Sequence, residues 1–360
     1  MRTLFNLLKG TTFAARLRGA WKHDVDQAMT PILAELRRLT REVGEIRVAL
    51  DETVARAARS DRSATQLRLI HELNEQQRDL IALLPTLLNL HCVGTHIRQA
   101  VASAPVRSDP FEHIVVEGVL PEPFYDLLLT ALPPAVFFHD RDPIKQNLAF
   151  PIVFGPLLSM RVWNFVDEVV AGQTIRPAVL EKFREPLQRH YDVVFGPSLR
   201  ERASSLPYLT SGGRLMLRRP GYHLSPHRDP KHSMVTCLLY LARPGDSDVY
   251  GTQLYRVDGD QEAHYKQTYY PEQNGHQCEL AEVVPFRPNT MLAFVNSRGA
   301  HGAAIPAEAP LDLERYSYQF YVAPKKEALG GLLKTLPRDR RAMWQSRDKV
   351  DGLEIPASRR

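Results

Sequence analysis

The triplet His227-Arg228-Asp229 and a distant histidine, His301, carry side chains that could hold a metal ion. Two imidazoles and one carboxylate can occupy one face of an Fe(II) ion and leave its other positions open. On an extended chain, side chains two residues apart point to the same side, so His227 and Asp229 could bind one ion. His301 could complete the set from any strand that the fold places opposite. These residues indicate a metal centre suited to oxygen chemistry.

A second triplet of the same form, His190-Tyr191-Asp192, lies in a different local pattern. Apolar and aromatic residues recur before it at helical spacing, at Leu180, Phe183 and Leu187. On a helix, residues i and i+2 point apart, so these two side chains would not share an ion. We interpret His190 as a structural residue.

The segments around His227 have the character of short β-strands. Apolar runs rich in β-branched and aromatic residues are separated by Gly and Pro, which favour turns. The predicted strands cover residues 113–117, 214–218, 235–241, 251–257, 290–295 and 315–322. Short strands at such intervals predict a double-sheet jelly roll. Helices are predicted between residues 111 and 207, for instance at 122–132 and 157–170.

The ordered set of motifs resembles the Fe(II)/2-oxoglutarate-dependent oxygenases, in the style of their prolyl-hydroxylase-like branch. Gly221 stands six residues before His227, where that branch has a glycine. The runs LLYL (238–241) and YGTQLY (250–255) resemble the family's "YL…GG.L" strands, and residues 289–302 resemble the segment that delivers its distal histidine. Arg315-x-Ser317 matches the family's RxS pair. The resemblance covers residues 111–322.

The resemblance implies an α+β fold, with a double-stranded β-helix (a jelly-roll, cupin-like core) buttressed by helices. It implies that His227, Asp229 and His301 bind Fe(II), while Arg315 and Ser317 hold the far carboxylate of the co-substrate 2-oxoglutarate. With O2, such a site hydroxylates a substrate and converts 2-oxoglutarate to succinate and CO2. The presence of Asp229 favours hydroxylation, because halogenating relatives lack this carboxylate.

Two departures from the family pattern leave alternatives open. Arg315 follows His301 by fourteen residues, a longer interval than is usual, and Arg298 could serve as the co-substrate anchor instead. Arg218 stands where prolyl hydroxylases often have a tyrosine. The substrate is therefore open among a protein side chain, a glycan or lipid intermediate and a small metabolite. Two other functions compete: a non-catalytic cupin-like binding protein, and a coiled-coil scaffold with a degenerate oxygenase domain.

Composition narrows the class of protein. The chain has 360 residues and three cysteines without a metal or disulfide pattern, which favours a reducing compartment. No apolar stretch is long enough to span a membrane, so we expect a cytoplasmic protein. The net charge of +5 comes from the ends, since residues 1–22 hold five basic and no acidic side chains and residues 325–360 hold ten and five. A body with an acidic balance argues against a nucleic-acid groove.

The N-terminal region predicts helices. Residues 1–22 form a basic amphipathic pattern that fits peripheral contact with a membrane surface, an organelle-targeting segment or a packed helix. Residues 23–100 carry a heptad pattern, which predicts a coiled coil and a homo-oligomer, with a packed helical hairpin as the alternative. A linker at 101–110 then precedes the expected oxygenase domain (111–324) and a basic tail (325–360). The heptad positions are Ile32, Leu36, Leu39, Val43, Ile46, Leu50 and Val54, then Leu69, Leu73, Gln76, Leu80, Leu83 and Leu87.

Overall fold

The computed structural model describes residues 38–41, 43–45, 47–48, 50–52, 57, 60–138, 142–260 and 266–345. The predicted basic helix at 1–22 and the end of the tail lie outside the described residues. The chain forms two compact units, residues 1–67 and 68–360. This division lies N-terminal to the linker predicted at 101–110.

The described residues of the first unit are helical, in keeping with their periodicity. None of their side chains is buried, and the heptad residues Leu39, Val43 and Leu50 are 46%, 64% and 59% exposed. Nothing in the described residues supports a coiled coil, which therefore remains a prediction.

The second unit contains helices as well as strands. Residues 68–76 are helical. The later helices are Arg78–Leu87, Leu90–Ser103, Glu122–Thr130, Leu157–Phe165, Arg176–Lys182, Arg184–Val194, Arg200–Ser204, Lys326–Lys334 and Arg338–Ala342, and Val166–Ile175 forms a segment of π-helix. The first two of these bury Leu84, Ile97 and Val101 in the core of this unit. That burial is the physical reason why the unit begins well before the predicted linker.

No single helix among the described residues is long and apolar enough to cross a membrane. Only the pair Arg78–Leu87 and Leu90–Ser103, bent by 66°, reaches that length and composition when taken together.

Among the described residues, ten strands form two antiparallel sheets. The strands are β1 (His113–Glu117), β2 (Lys145–Ala149), β3 (Tyr208–Arg218), β4 (His223–His227), β5 (Val235–Tyr240), β6 (Thr252–Val257), β7 (Cys278–Val284), β8 (Thr290–Val295), β9 (Ala300–Ala304) and β10 (Arg315–Pro324). Six of them pair in the order β1-β8-β5-β10-β3-β2, and four in the order β4-β9-β6-β7.

The two sheets pack face to face, with helices on the outer side of the larger sheet. Tyr240 and Phe294 of the larger sheet share one apolar cluster with Leu254 of the smaller sheet. On the outer face, Tyr318 of β10 packs beside Trp163, with ring centroids 6.0 Å apart. Side chains alternate between the two faces of a strand, so each long strand serves both layers. The expected α+β class, with antiparallel sheets of jelly-roll type buttressed by helices, is confirmed.

Candidate metal centre

Strand pairing brings the two distant histidines together. His227 ends β4 and is the cross-strand partner of His301 on β9, with ring centroids 4.2 Å apart. Asp229 follows β4 by two residues, and its carboxylate oxygens lie 3.8 Å from His227 Nε2 and 3.6 Å from His301 Nε2. All three side chains are buried, and their ligand atoms lie within 4.8 Å of one another. The cluster has the size and the donor set of a metal site.

Hydrogen bonds prepare these side chains to bind a cation. His227 Nδ1 donates to the carbonyl oxygen of Ser225 at 3.0 Å, so its Nε2 carries the lone pair that faces the cluster. The Asp229 carboxylate accepts from Thr236 Oγ1 at 2.7 Å and from the Tyr321 hydroxyl at 3.2 Å. Burial and the neighbouring His227 lower the pKa of His301 to about 3, against the opposing effect of Asp229. His301 is therefore a neutral imidazole at pH 7, the form that binds metals.

Arg228 lies between His227 and Asp229 in the sequence, and its side chain stabilises the turn that leads to His301. Its side chain is buried, donates from Nε to the Gly299 carbonyl at 3.2 Å and pairs with Asp260 at 2.5 Å. Asp260 in turn accepts from the Gly299 N–H at 2.5 Å. Gly299 has φ +68°, and a Cβ there would lie 2.1 Å from the Phe111 ring, so the turn requires glycine. These contacts fix the backbone two residues before His301.

The cluster faces a cavity of about 420 Å³ between the two sheets. Alternate residues of β3 and β10 project into it from the larger sheet, as expected for side chains of period two. Tyr270, from the connection between β6 and β7, closes it beside His227, with ring centroids 5.8 Å apart. The lining includes Lys145, Asn147, Arg214, Met216, Arg218, Tyr222, Leu238, Thr252, Arg315, Ser317, Gln319 and Tyr321.

Arg315 presents an unsatisfied cation to this cavity. Its side chain is buried, and neither Nε nor Nη1 has a hydrogen-bond partner. The guanidinium lies 4.7 Å from the centroid of Phe286 and 5.7 Å from that of Tyr240. Burial lowers the pKa of Arg315. Buried donors without acceptors are unfavourable, so this geometry indicates an anionic ligand that supplies them.

The predicted co-substrate residues thus fit the group that the resemblance implies. Arg315 and Ser317 lie two residues apart on β10, and both line the cavity that His227, Asp229 and His301 face. A dicarboxylate could bridge the cluster and the guanidinium. The alternative anchor, Arg298, is 43% exposed, lies 3.7 Å from Glu112 and does not line the cavity. The geometry favours Arg315.

The second His-x-Asp triplet has the structural role predicted for it. His190 is buried on the helix Arg184–Val194, whereas Asp192 pairs with Arg200. The two side chains of this triplet therefore do not meet at one site. Burial, with the charges of Lys231 and Arg228, lowers the pKa of His190 to about 3.

Several residues of the site were not singled out from the sequence. Thr236 and Tyr321 orient Asp229, and Lys145 and Arg214 line the cavity. The alternation of Arg214 with Arg218 along β3 could have revealed Arg214, because residues of equal parity share a face. The pairing of β3 with β10 was needed to show that this face is the one of Arg315.

No family model matches the sequence. No curated protein matches it either.

Solved structures similar to the chain include HygX from Streptomyces hygroscopicus with nickel, 2-oxoglutarate and hygromycin B bound, at 12% identity and a TM-score of 0.36, covering 59% of this chain and 83% of that one. A Pseudomonas putida prolyl-4-hydroxylase is similar at 14% identity and a TM-score of 0.35, over 64% and 99%. A Burkholderia pseudomallei oxidoreductase of the 2OG-Fe(II) oxygenase family is similar at 9% and 0.34, over 63% and 89%. All of these TM-scores are below 0.5.

Proposed function

We propose that this protein is an Fe(II)- and 2-oxoglutarate-dependent dioxygenase that hydroxylates an organic substrate and releases succinate and CO2. The observation that carries the proposal is the pairing of two features in one cavity. A buried cluster of two histidines and one aspartate lies on one wall, and the unpartnered guanidinium of Arg315 lies on another. The first suits Fe(II), and the second suits the far carboxylate of the co-substrate.

The residues of the cluster would hold the metal in an open site. His227 and His301 would each offer an imidazole nitrogen and Asp229 a carboxylate oxygen, so one face of the ion would be bound and the rest left for small ligands. Bound Fe(II), together with 2-oxoglutarate, supplies the activation of O2 that oxidises the substrate. Thr236 and Tyr321 keep the carboxylate in place through their hydrogen bonds. Such outer contacts preserve the geometry and basicity of metal ligands.

Arg315 and Ser317 would orient the co-substrate. A guanidinium can donate two parallel hydrogen bonds to a carboxylate, which fixes direction as well as position. The rings of Phe286 and Tyr240 lie against this guanidinium. A co-substrate held at both ends keeps one orientation relative to the metal, as a near-attack geometry requires.

Alanine variants of the three ligands test the proposal. His227→Ala, Asp229→Ala and His301→Ala should each abolish Fe(II)-dependent succinate formation from 2-oxoglutarate while circular dichroism remains that of the wild type. Arg298→Ala is the matched control, since Arg298 lies outside the cavity and should leave succinate formation intact. Wild-type protein that binds Fe(II) but never consumes 2-oxoglutarate would point to the competing function, a cupin-like binding protein.

We further propose, from the sequence pattern, that the N-terminal helices assemble the protein into a homo-oligomer in the cytoplasm. The heptad pattern of the sequence is the basis of this proposal, and its residues Leu39, Val43 and Leu50 are exposed. Contact of residues 1–22 with an anionic membrane surface is part of the same proposal. Liposome flotation of proteins with and without residues 1–22 tests it, and equal binding of both would refute it.

A further inference from the structure

Three cations stand side by side across the cavity face of the larger sheet. Arg218 on β3 is the register partner of Arg315 on β10 and of Lys145 on β2. Like charges placed directly opposite on neighbouring strands repel each other. Arg214 lies on the same face of β3, and it too lines the cavity. A row of this kind is an unusual feature of a sheet unless something anionic lies on it.

The charge of Asp142 acts on Arg218 through space and partly opposes the lowering of its pKa by burial, but it makes no direct contact with this row of cations. In the part of the chain that the structure describes, none of the four cations forms an ion pair with a carboxylate. Arg218 donates to neutral acceptors only, the carbonyl oxygens of Gln146 and Leu217 at 2.6 and 3.0 Å and Asn147 Oδ1 at 2.9 Å. Its guanidinium also lies 4.9 Å from the centroid of the Tyr222 ring.

Arg214 is held in the same way, by Gln319 and by the Tyr321 hydroxyl. Among the described residues that line the cavity, Asp229 is the single acidic side chain. The cavity wall therefore carries four permanent positive charges against one negative charge.

The proposed metal and co-substrate do not remove this excess. Fe(II) brings two positive charges and 2-oxoglutarate two negative ones, so together they leave the balance unchanged. The strands of a sheet lie about 5 Å apart, so Lys145 stands about 10 Å from Arg315 across Arg218. A carboxylate held by Arg315 therefore leaves Lys145 without a partner. Lys145 is exposed, which places it at the mouth of the cavity.

We infer that the substrate, within the proposed oxygenase function, is an acidic small molecule whose phosphate or carboxylate group binds between Lys145 and Arg218. Arg218 would form the inner side of this subsite and Lys145 the outer side. The ammonium group of a lysine and the planar guanidinium of an arginine are both suited to binding an oxyanion. The subsite adjoins Arg315, so the rest of the molecule extends toward the metal cluster.

Calorimetric titration of the full-length protein tests this inference. The protein is loaded with Mn(II) and saturating 2-oxoglutarate under nitrogen, so that the co-substrate site is filled and no turnover occurs. Inorganic phosphate, benzoate and the neutral isostere benzamide are then titrated separately. We expect phosphate or benzoate to bind at one site per chain and benzamide not to bind. Whichever anion binds more tightly identifies the phosphate or the carboxylate as the preferred group.

Matched variants locate the binding. Arg218→Gln and Lys145→Gln should each raise the dissociation constant of the anion about ten- to a hundredfold, as loss of a charged hydrogen-bond donor does. Arg298→Gln makes the same substitution outside the cavity and should bind as the wild type does. Lys145 is exposed, so its variant remains informative even if the variant of the buried Arg218 unfolds.

Two results would overturn the inference. One is normal 2-oxoglutarate binding with no anion binding, or with anion binding that neither variant weakens. The other is an Arg218→Gln variant that loses 2-oxoglutarate itself, which would assign Arg218 to the co-substrate. Absence of metal-dependent 2-oxoglutarate binding in the wild type would instead refute the proposed function. The two failures are therefore distinguishable.

Discussion

At the scale of single residues, the defining feature of the site is a buried charged side chain without hydrogen-bond acceptors. Arg315 is buried among aromatic rings without an acceptor for Nε or Nη1, although a buried charge is tolerated mainly when it is paired. The cluster of His227, Asp229 and His301 and the cavity wall show the same principle, in that polar groups converge on space that no other side chain fills. Such residues cost stability in the free protein and gain a role when a ligand binds.

The first prediction at this scale concerns co-substrate affinity. Arg315→Ala should raise the 2-oxoglutarate KM about ten- to a hundredfold, because a hydrogen bond to a charged group is worth about 1.5–3 kcal/mol. Arg315→Lys should recover part of the loss, since lysine cannot reproduce a two-pronged contact. Ser317→Ala should cost about 1 kcal/mol. Fe(II) affinity should change little in all three. Should Arg298→Ala raise the KM instead, the anchor has been misassigned.

The second prediction concerns stability. Arg315→Met replaces an unpaired buried charge by an apolar side chain of similar length, so the ligand-free protein should become more stable. The expected rise in Tm is a few degrees, since about 1 kcal/mol corresponds to roughly 2–4 °C for a unit of this size. Differential scanning calorimetry without 2-oxoglutarate measures it. A fall in Tm would mean that the contacts of the guanidinium with Phe286 and Tyr240 outweigh its desolvation.

At the scale of secondary-structure elements, the sequence predicted the strands rich in apolar, β-branched and aromatic residues and missed β2 and the N-terminal half of β3. Residues 290–295 were found because β8 is an unbroken apolar run. β2 was missed, since Lys145 and Asn147 face the cavity and interrupt any apolar alternation. The N-terminal half of β3 was missed because the pair Gly212-Gly213 is typical of a loop between strands. In the structure Gly213 lies so close to Asp167 that a Cβ would come within 1.9 Å of its carboxylate oxygen.

The ligand set illustrates the same limit. The spacing of His227 and Asp229 could be interpreted from the chain alone, because strand geometry is local. The approach of His301 depends on the pairing of β4 with β9 across an interval of more than seventy residues, and local periodicity contains no information about that pairing. It was recognised only through the resemblance to a family.

An element-scale prediction follows from the burial of His190 in its helix. The pKa of His190 lies at about 3 in the folded chain, below the ordinary value of 6.5, so between these values the unfolded chain binds more protons. Folding stability should therefore fall as the pH falls through this window. In His190→Leu this contribution is absent. Relative to the wild type, the variant should gain about 2 kcal/mol between pH 7.5 and pH 5.

Urea unfolding at several pH values measures this difference. The exposed His91 provides the control, since His91→Leu removes an imidazole that is already in water. The lysine and arginine that face His190, Lys231 and Arg228, are present in all three proteins. A pH dependence of His190→Leu equal to that of the wild type would contradict the prediction. Succinate formation should be unaffected by this substitution.

At the scale of the whole molecule, the chain combines a compact oxygenase-like unit with an exposed helical segment. The second unit, residues 68–360, contains the three candidate metal ligands, the cavity and the helices that bury Leu84 and Ile97. A truncation at residue 100 would remove those two residues and expose the core they cover. The boundary at residue 67 avoids this damage.

Deletion of residues 1–67 should therefore yield a soluble protein that still consumes 2-oxoglutarate, whereas deletion of residues 1–100 should be unstable. Light scattering should show a larger assembly for the full-length chain than for the chain without residues 1–67, because the deletion removes the heptad residues at 32–54. The comparison is made at equal protein concentration. A monomeric full-length protein would refute the predicted coiled coil, and the enzymatic prediction would be unaffected.

The proposed binding of an anion at Arg315 would also connect the protein's lifetime to metabolism. A ligand that binds only the folded chain stabilises it in proportion to the logarithm of its concentration, by about 2.7 kcal/mol at a hundredfold excess over Kd. Proteases and chaperones act on the unfolded fraction, so a shift of this size changes the steady-state amount of a protein in the cell. Cells depleted of the anion proposed to bind Arg315 would then degrade this protein faster. The side chain proposed to orient the co-substrate would thus make the abundance of the protein follow the supply of that metabolite.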